Sequence, residues 1–482
     1  MFSAKLKPHG GIRPYSHKSL TRDIAIRPLS TPRQLIIPLR QHTGPAAVPV
    51  VSVGETLCAG QQVAEARERM SAPVHCALAG VVTGVSFGDH GMITVRVLAE
   101  QSLAPRLTAP VEFDTSQAML SLIEQAGIVG MGGAMFPAAD KIRMSLRYPI
   151  ETLIVNGGEC EPYLTTDDRL MREQGEFIIG GIRYLQTITR ARQVFIGIED
   201  NKTEAIARLD QLCRQEPDIE VVILPSLYPI GSAKQMIEAV TGRQIPQNRR
   251  STEMGVLVQN VGTCIAIFHA VRFGQPVTHR VITVSGRAIE QPGNLLVPIG
   301  TPIKEIISQC GGLKSQPARI VLGGPMMGRA VEDLDTPINK GTSGLLLLTD
   351  DELPQTRPSA CLRCGRCIDA CPMSLAPLAM FAELKNDGFA KAQRQGLDAC
   401  LLCGSCAYVC PAALPLTQFF DWGQQQLSLI KRQEDKLSRT RENSARRQER
   451  LAFEAAEKAA AQAAKPARRQ RRATPPSEDT PC

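Results

Sequence analysis

Two short cysteine runs in the last third of the chain decide how this sequence is interpreted. The first is CLRCGRCIDACP, residues 361–372, and the second is CLLCGSCAYVCP, residues 400–411. Both have the spacing C-x2-C-x2-C-x3-C-P, and the second run begins 39 residues after the first. The other seven of the 15 cysteines share no ligand spacing. Apart from Cys160, we expect those seven to be small core residues or exposed thiols.

The paired runs predict two iron–sulfur clusters. Their spacing is that of bacterial two-cluster ferredoxins, in which the first three thiolates of each run hold one [4Fe-4S] cluster and the fourth binds the other cluster. Structural zinc is the alternative, although a four-cysteine zinc site needs neither the third cysteine nor the trailing proline. Two adjacent clusters form a one-electron relay, which needs a donor and an acceptor. The predicted ligands are Cys361, Cys364, Cys367 and Cys410 for cluster 1, and Cys371, Cys400, Cys403 and Cys406 for cluster 2.

Length and composition predict a folded chain of several domains. At 482 residues, the chain suggests about three domains. Hydrophobic residues make up 43% and charged residues 21%, which excludes wholesale disorder. The longest aliphatic runs, residues 221–224 and 345–348, are far shorter than the roughly 18 apolar residues of a membrane-spanning helix. The first residues lack an apolar secretion signal, so we expect a cytoplasmic protein with reduced thiols.

The distribution of apolar runs divides the chain into segments of different fold class. Short runs separated by Gly and Pro predict strands, whereas helical periodicity that alternates with apolar runs predicts a parallel sheet with crossover helices. The fold class is therefore multidomain α/β and α+β. The predicted segments are a barrel-sandwich-like β domain (1–110), an α/β domain (111–275), a small α+β module (276–330), a linker (331–353), a helical cluster domain (354–425) and a charged tail, disordered or helical (426–482).

Most of the net charge lies in the tail. Residues 430–482 contain 14 Lys and Arg and 8 Asp and Glu, which accounts for +6 of the total of +8. Basic terminal segments bind anionic lipid or acidic partner surfaces more often than nucleic acid. Aromatic residues are 4% of the chain, too few for a nucleic-acid stacking surface. We therefore expect no nucleic-acid partner, and a tail that contacts a membrane surface or an acidic partner.

A glycine-rich turn followed by an acidic strand end forms a second candidate site. In GIVGMGGAMFPAADK, residues 127–141, Gly130 and Gly132 would let backbone amides face a phosphate, with Lys141 as a nearby cation. A buried strand then runs into NGGECEP, residues 156–162, and polar groups at the carboxyl end of a parallel strand lie where ligands bind. The alternatives are a purely structural turn and glutamates that cap the next helix.

The order of these motifs resembles a known family. GMGGAMFPAADK and VNGGECEPYLTTDDR resemble the flavin and NADH site of the large flavoprotein subunit of respiratory complex I. VSGRAIEQPGNLLVPIGTPIKEII resembles the soluble-ligand-binding β-grasp module that follows in that flavoprotein. Together with the N-terminal β domain and the two cysteine runs, this order is similar to the C subunit of the Rnf (or Rsx) ion-translocating electron transport complex over about residues 1–425.

The resemblance implies an oxidoreductase subunit of a translocase. We identify no acid–base catalytic residue in the sequence. The resemblance implies FMN as a candidate cofactor, NADH or a ferredoxin-like protein as donor, and membrane-embedded partner subunits. It also implies peripheral attachment at the cytoplasmic face of the bacterial inner membrane. The flavin and NADH contacts implied by the resemblance are Gly130, Gly132, Lys141, Asn156, Glu159 and Asn260.

The sequence departs from the family pattern at several positions of the flavin site. Met131 stands where the pattern has Arg, Met135 replaces the third Gly of the loop, Gly158 replaces Asp, and Ser232 stands where an acidic residue is expected. These substitutions leave an alternative function open. The chain would then be an iron–sulfur scaffold or carrier subunit with a degenerate flavin pocket and no oxidoreductase activity of its own.

Overall fold

The computed structural model describes residues 2–4, 9–98, 100–101, 109–112, 115–247, 249–355 and 357–471. The chain divides into two compact units, one of Met1–Leu378 with Ala399–Thr417 and the other of Ala379–Asp398 with Gln418–Cys482. None of the described helices has an apolar stretch long enough to cross a membrane. Residues 472–482 of the predicted tail, which was expected to be disordered or helical, fall outside the described residues.

The strands of the described residues fall into four sheets. Their orders are β1-β12-β11-β10-β13, β17-β16-β18-β14-β15-β2, β3-β9-β8-β5 and β4-β6-β7. The strands, numbered along the chain, are β1 (Phe2–Ser3), β2 (Ile26–Pro28), β3 (Gln34–Pro38), β4 (Val48–Pro49), β5 (Thr56–Leu57), β6 (Gln62–Glu65), β7 (Val74–His75), β8 (Gly80–Val85), β9 (Met92–Val97), β10 (Thr152–Gly157), β11 (Gln193–Glu199), β12 (Ile219–Leu224), β13 (Val256–Asn260), β14 (His279–Ser285), β15 (Gly293–Pro298), β16 (Arg319–Leu322), β17 (Arg329–Val331) and β18 (Gly344–Leu348).

The helices lie mainly around the parallel sheet and in the last quarter of the chain. They are α1 (Ser116–Gln125), α2 (Ala138–Ser145), α3 (Thr166–Glu173), α4 (Gly175–Thr189), α5 (Thr203–Cys213), α6 (Ala233–Thr241), α7 (Val261–Phe273), α8 (Ile303–Gln309), α9 (Arg366–Asp369), α10 (Pro377–Leu384), α11 (Phe389–Arg394), α12 (Ser405–Tyr408) and α13 (Leu416–Arg471).

The N-terminal β domain is built from the two smaller sheets. Strand β3 alternates half-buried and buried residues, so Leu35 and Ile37 point into the core with no exposed surface. They pair with β9, whose Val95 and Ile93 are also fully buried. This alternation is the period-2 pattern of a sheet with one face against a core.

The parallel sheet of the α/β domain confirms the expected alternation of strands and helices. Strand β10 pairs in parallel with both β11 and β13. Its apolar residues 153–155 are fully buried, as expected for a strand with helices on both faces. Asn156 lies opposite Asn260 in the register between β10 and β13. The carboxyl ends of these strands therefore bring two polar residues, far apart in sequence, to the same sheet edge.

The sheet after the α/β domain extends beyond the residues assigned to the small α+β module. Residues 344–348 lie in the segment predicted as a linker, but the structure shows them as strand β18, paired with β14 and β16. All five of these residues are buried. A short uninterrupted apolar run is typical of a strand covered on both faces, and a linker would leave such residues in water.

The second unit consists of helices. Phe381 and Phe419 pack edge to face with ring centroids 4.8 Å apart, and Phe389 and Trp422 do so at 5.0 Å. From residue 431 to residue 462 every residue of α13 is exposed. The described part of the predicted tail, residues 426–471, lies within this helix.

Candidate metal centre and adjoining polar site

The two cysteine runs repeat one backbone conformation. Gly365 and Gly404 occupy the same position of their runs, with φ of 78° and 77°, and each precedes a four-residue helix, α9 or α12. Two further equivalent pairs also have positive φ: Arg363 at 51° with Leu402 at 55°, and Ser374 at 52° with Ala413 at 46°. Left-handed conformations are uncommon outside glycine, so their repetition shows that both runs wrap in the same way.

The thiols of the two runs approach one another in a crossed pattern. Cys406 is surrounded by Cys400 and Cys403 of its own run and by Cys371 of the first run. Burial raises the pKa of the Cys406 thiol above its ordinary value, and these neighbours raise it further. Burial likewise raises the pKa of Cys367, whose thiol neighbours are Cys364 and Cys410. Cys371 of the first run therefore lies near Cys400 and Cys406 of the second run, and Cys410 of the second run lies near Cys367 of the first.

The two thiol groups differ in their exposure. Cys371, Cys403 and Cys406 are buried, whereas Cys361 and Cys364 are exposed. Within the described ranges, no three His, Cys, Asp or Glu side chains converge as ligands of a single metal ion would. A cubane has a different requirement, because each thiolate binds a different iron atom.

The glycine-rich turn is closed by its own backbone and borders β13. The amide of Gly130 donates to the Phe136 carbonyl at 2.8 Å, and the amide of Met135 donates to the Gly130 carbonyl at 3.2 Å. At Gly132, an added Cβ would lie 3.5 Å from the Asn260 side chain. Gly133 has a φ of 102° and open space where a Cβ would stand. The turn thus leaves backbone accessible beside Asn260.

The two asparagines at the sheet edge already have protein partners. The Asn156 amide donates to the Gly231 carbonyl at 2.7 Å, and its oxygen accepts from the Gly158 amide at 2.9 Å. The oxygen of Asn260 accepts from the Gly262 amide at 2.9 Å, which caps α7. Its nitrogen donates to the Asp167 carboxylate at 2.7 Å.

Lys141 was expected next to the glycine-rich turn, and the structure directs its ammonium group to strand β13. The ammonium donates to the carbonyl of Val258. Burial lowers the pKa of Lys141 to about 8, and the nearby Cys264 thiol partly opposes this shift. The Lys141 ammonium group is therefore bonded to strand β13, the strand that ends at Asn260.

Glu159 has the capping role that the sequence left open as an alternative. Its carboxylate accepts from the backbone amides of Asp167 at 2.8 Å and Asp168 at 3.4 Å, in the first turn of α3. Thr165, at the N-cap position, makes no capping bond with its side chain, so Glu159 satisfies these amides instead. Burial raises the pKa of Glu159 to about 7, and the cations of Lys18 and Lys202 oppose the shift.

Glu161 stabilises a different segment. Its carboxylate accepts from the backbone amides of Met326 at 3.0 Å and Met327 at 2.9 Å. These residues belong to the GGPMMG loop, residues 323–328. Between the two glutamates, Cys160 packs against a cluster of buried side chains that includes Tyr228 and Cys403. The acidic strand end therefore borders the cluster to which Cys403 of the second run belongs.

Sequence reasoning missed two cations of this site, Lys18 and Lys202. The Lys18 ammonium donates to the backbone carbonyls of Glu159 at 2.8 Å and Glu161 at 2.9 Å. Lys202 is 3% exposed and forms a buried ion pair with Glu199, which is 1% exposed. Lys18 lies 141 positions before Glu159 in the sequence, so no local pattern links the two residues. The Glu199–Lys202 spacing of three residues suits a helical ion pair but does not reveal its burial.

Paired thiol groups beside a buried polar site at the ends of parallel strands define an iron–sulfur electron-transfer protein. Four family models match the chain. They are "RnfC Barrel sandwich hybrid domain" over residues 6–93, "Nuo51 FMN-binding domain" over 123–269, "SLBB domain" over 281–330 and "4Fe-4S dicluster domain" over 360–414.

Curated relatives identify the family. The chain is 41% identical over 429 residues to the C subunit of the ion-translocating oxidoreductase complex of Rhodobacter capsulatus, covering 87% of this chain and 83% of the relative. It is 38% identical over 394 residues to the C subunit of the proton-translocating ferredoxin:NAD(+) oxidoreductase complex of Clostridium ljungdahlii, covering 80% and 86%. The chain belongs to the family of C subunits of ion-translocating oxidoreductase complexes, which confirms the resemblance seen in the sequence. It is an electron-transfer subunit with a 4Fe-4S dicluster domain and an FMN-binding type of domain.

Proposed function

We propose that the crossed thiol groups hold the two clusters that relay single electrons through this protein. The thiol neighbours of Cys406 and of Cys367 carry this proposal, because they combine the last cysteine of one run with cysteines of the other. When bound, such clusters accept and release one electron each. The proposed ligands are Cys361, Cys364, Cys367 and Cys410 for cluster 1, and Cys371, Cys400, Cys403 and Cys406 for cluster 2.

Serine substitutions test the crossing in protein purified without oxygen. Wild type should contain about eight iron atoms per chain and show two electron paramagnetic resonance (EPR) signals after reduction. Cys410→Ser should remove the same signal as Cys361→Ser, and Cys371→Ser the same signal as Cys400→Ser. Cys58→Ser is the control, because Cys58 is an exposed thiol outside both runs. If Cys410→Ser instead removes the signal lost in Cys400→Ser, the ligands are not crossed; zinc in place of iron would exclude the relay.

The flavin belongs at the edge formed by the glycine-rich turn and the ends of β10 and β13. Gly133 offers open space, and Gly132 lies beside Asn260, so a phosphate or ring could approach the backbone there. The proposed contacts are those implied by the resemblance: Gly130, Gly132, Lys141, Asn156, Glu159 and Asn260. A bound flavin accepts two electrons from a hydride donor and passes them on singly, which links NADH chemistry to a one-electron relay.

A scaffold or carrier subunit with a degenerate flavin pocket is the second candidate function. It is favoured by the internal partners of Asn156, Asn260 and Lys141, whose polar groups already bind Gly231, Asp167 and Val258. Flavin extraction and NADH-dependent bleaching of the iron–sulfur absorbance distinguish the two functions. Stoichiometric FMN with bleaching supports the redox function, and neither signal in protein with intact clusters supports the scaffold.

The protein is proposed to attach peripherally at the cytoplasmic face of the inner membrane, with NADH or a ferredoxin-like donor. The family to which the chain belongs supports membrane partners, and the net charge of +6 over residues 430–482 supports contact with an anionic surface. Deleting residues 430–482 should lower retention on membranes most strongly at low salt, because salt screens such contacts. Unchanged retention would exclude the tail as an attachment site.

A further inference from the structure

Hydrogen bonds from Gly11, Gln235 and Tyr228 join the segments that carry cluster 2 ligands to the rest of their unit. The Gly11 amide donates to the carbonyl of Ala370 at 3.1 Å. The side-chain nitrogen of Gln235 donates to the carbonyl of Pro372 at 3.0 Å. Ala370 and Pro372 flank Cys371, so both bonds fix the residue that crosses from the first run to cluster 2.

The third bond comes from Tyr228 and reaches a proposed ligand residue itself. The Tyr228 hydroxyl donates to the backbone carbonyl of Cys403 at 2.6 Å. Tyr228 is 2% exposed and packs with Ile12, Ala370 and Cys403. The backbone amide and carbonyl of Tyr228 both form hydrogen bonds with the backbone of Ile12 at 2.8 Å. Hydrogen bonds therefore fix both the backbone and the hydroxyl group of Tyr228.

We propose that Tyr228 is a positioning residue that fixes Cys403 and thereby sets the reduction potential of cluster 2 alone. This inference rests on the proposed ligand sets. The potential of an iron–sulfur cluster depends on nearby hydrogen bonds and on solvent exposure. The Tyr228 hydroxyl donates to the Cys403 carbonyl and offsets the negative end of that dipole, which would favour reduction of a cluster bound by Cys403. The proposed ligands of cluster 1 form a separate set, of which Cys361 and Cys364 are exposed.

The test is a potentiometric EPR titration of Tyr228→Phe, which removes only the hydroxyl group. The potential of cluster 2 should fall, because reduction adds negative charge beside a carbonyl that has lost its donor. We expect about a threefold change in the oxidised-to-reduced ratio of cluster 2 at fixed potential, or roughly 28 mV, since 59 mV is tenfold for one electron. The signal of cluster 1 should not move. Tyr148→Phe is the matched control, because Tyr148 is 42% exposed.

Signals are assigned to clusters by the Cys410→Ser and Cys371→Ser variants. Gln235→Met, which removes the bond to Pro372, should shift the same signal as Tyr228→Phe. If either variant loses iron, selective loss of the cluster 2 signal supports the inference, and equal loss of both signals overturns it. A shift of both clusters, or of neither, also overturns it. If wild type lacks about eight iron atoms, or the serine variants show uncrossed ligands, the proposed function fails instead.

Discussion

At the residue scale, three consecutive side chains have three separate tasks. Glu159 caps helix α3, Glu161 holds the loop at Met326 and Met327, and Cys160 packs toward Cys403. Their shared backbone is anchored by Lys18, which bonds to the carbonyls on both sides of Cys160. The acidic motif therefore serves as a structural junction between the parallel sheet and the second cysteine run.

Replacing Lys18 by methionine should destabilise this junction. The substitution keeps the length of the side chain but leaves the carbonyls of Glu159, Glu161 and Leu164 without their donor. Lys18 is half-buried, and loss of its charged donor should lower the free energy of unfolding by about 3 kcal/mol. Urea unfolding followed by circular dichroism measures the change. Lys304→Met is the control, because Lys304 is exposed and its solvated ion pair with Asp335 should contribute little to stability. Equal effects of both substitutions would contradict the anchoring role.

At the scale of elements, one buried lysine joins the β domain to the α/β domain. Lys340 is fully buried, and its ammonium donates at 2.7 Å to the carbonyls of Pro73 and Gly127. Gly127 has a φ of 65° and begins the glycine-rich turn. Burial lowers the pKa of Lys340 from 10.5 to about 7. Burial also lowers the pKa of the neighbouring His75 to about 3, so this histidine is neutral in the same range.

The lowered pKa of Lys340 predicts a stability that rises with pH. Between about pH 7 and 10.5 the unfolded chain holds a proton that the folded chain has released. Raising the pH across this window therefore favours the folded state, by up to about 1.4 kcal/mol per pH unit. The urea midpoint of wild type should rise between pH 7 and 9 relative to that of Lys340→Met. Lys314→Met, at an exposed position, should follow wild type. Parallel profiles for wild type and Lys340→Met would refute the prediction.

Features that a local sequence pattern specifies could be predicted, whereas features that depend on contacts between distant residues could not. The cysteine spacing predicted the thiol groups because each run supplies its own turn and helix. The parallel sheet was predictable because β10 and β11 are uninterrupted apolar runs. Strand β18 was missed although residues 345–348 are an apolar run, because so short a run does not identify its partners, β14 and β16, elsewhere in the chain. Lys18 and Tyr228 escaped notice for the same reason, since only the tertiary fold brings them to Glu159 and Cys403.

At the scale of the whole molecule, the first residues of the chain brace a cysteine run more than 350 positions away. An added Cβ at Gly10 would lie 2.5 Å from the backbone oxygen of Cys371, and the φ of Gly10 is 62°. Gly10→Val should therefore push the Cys371 segment away and remove cluster 2 while leaving cluster 1. Iron should fall from about eight to about four atoms per chain, with one EPR signal retained. Gly54→Val is the matched control, because Gly54 also has a positive φ, 90°, but has open space around it. If Gly54→Val loses as much iron as Gly10→Val, backbone strain and not contact with Cys371 explains the loss; if Gly10→Val keeps both signals, the N-terminal segment does not brace cluster 2.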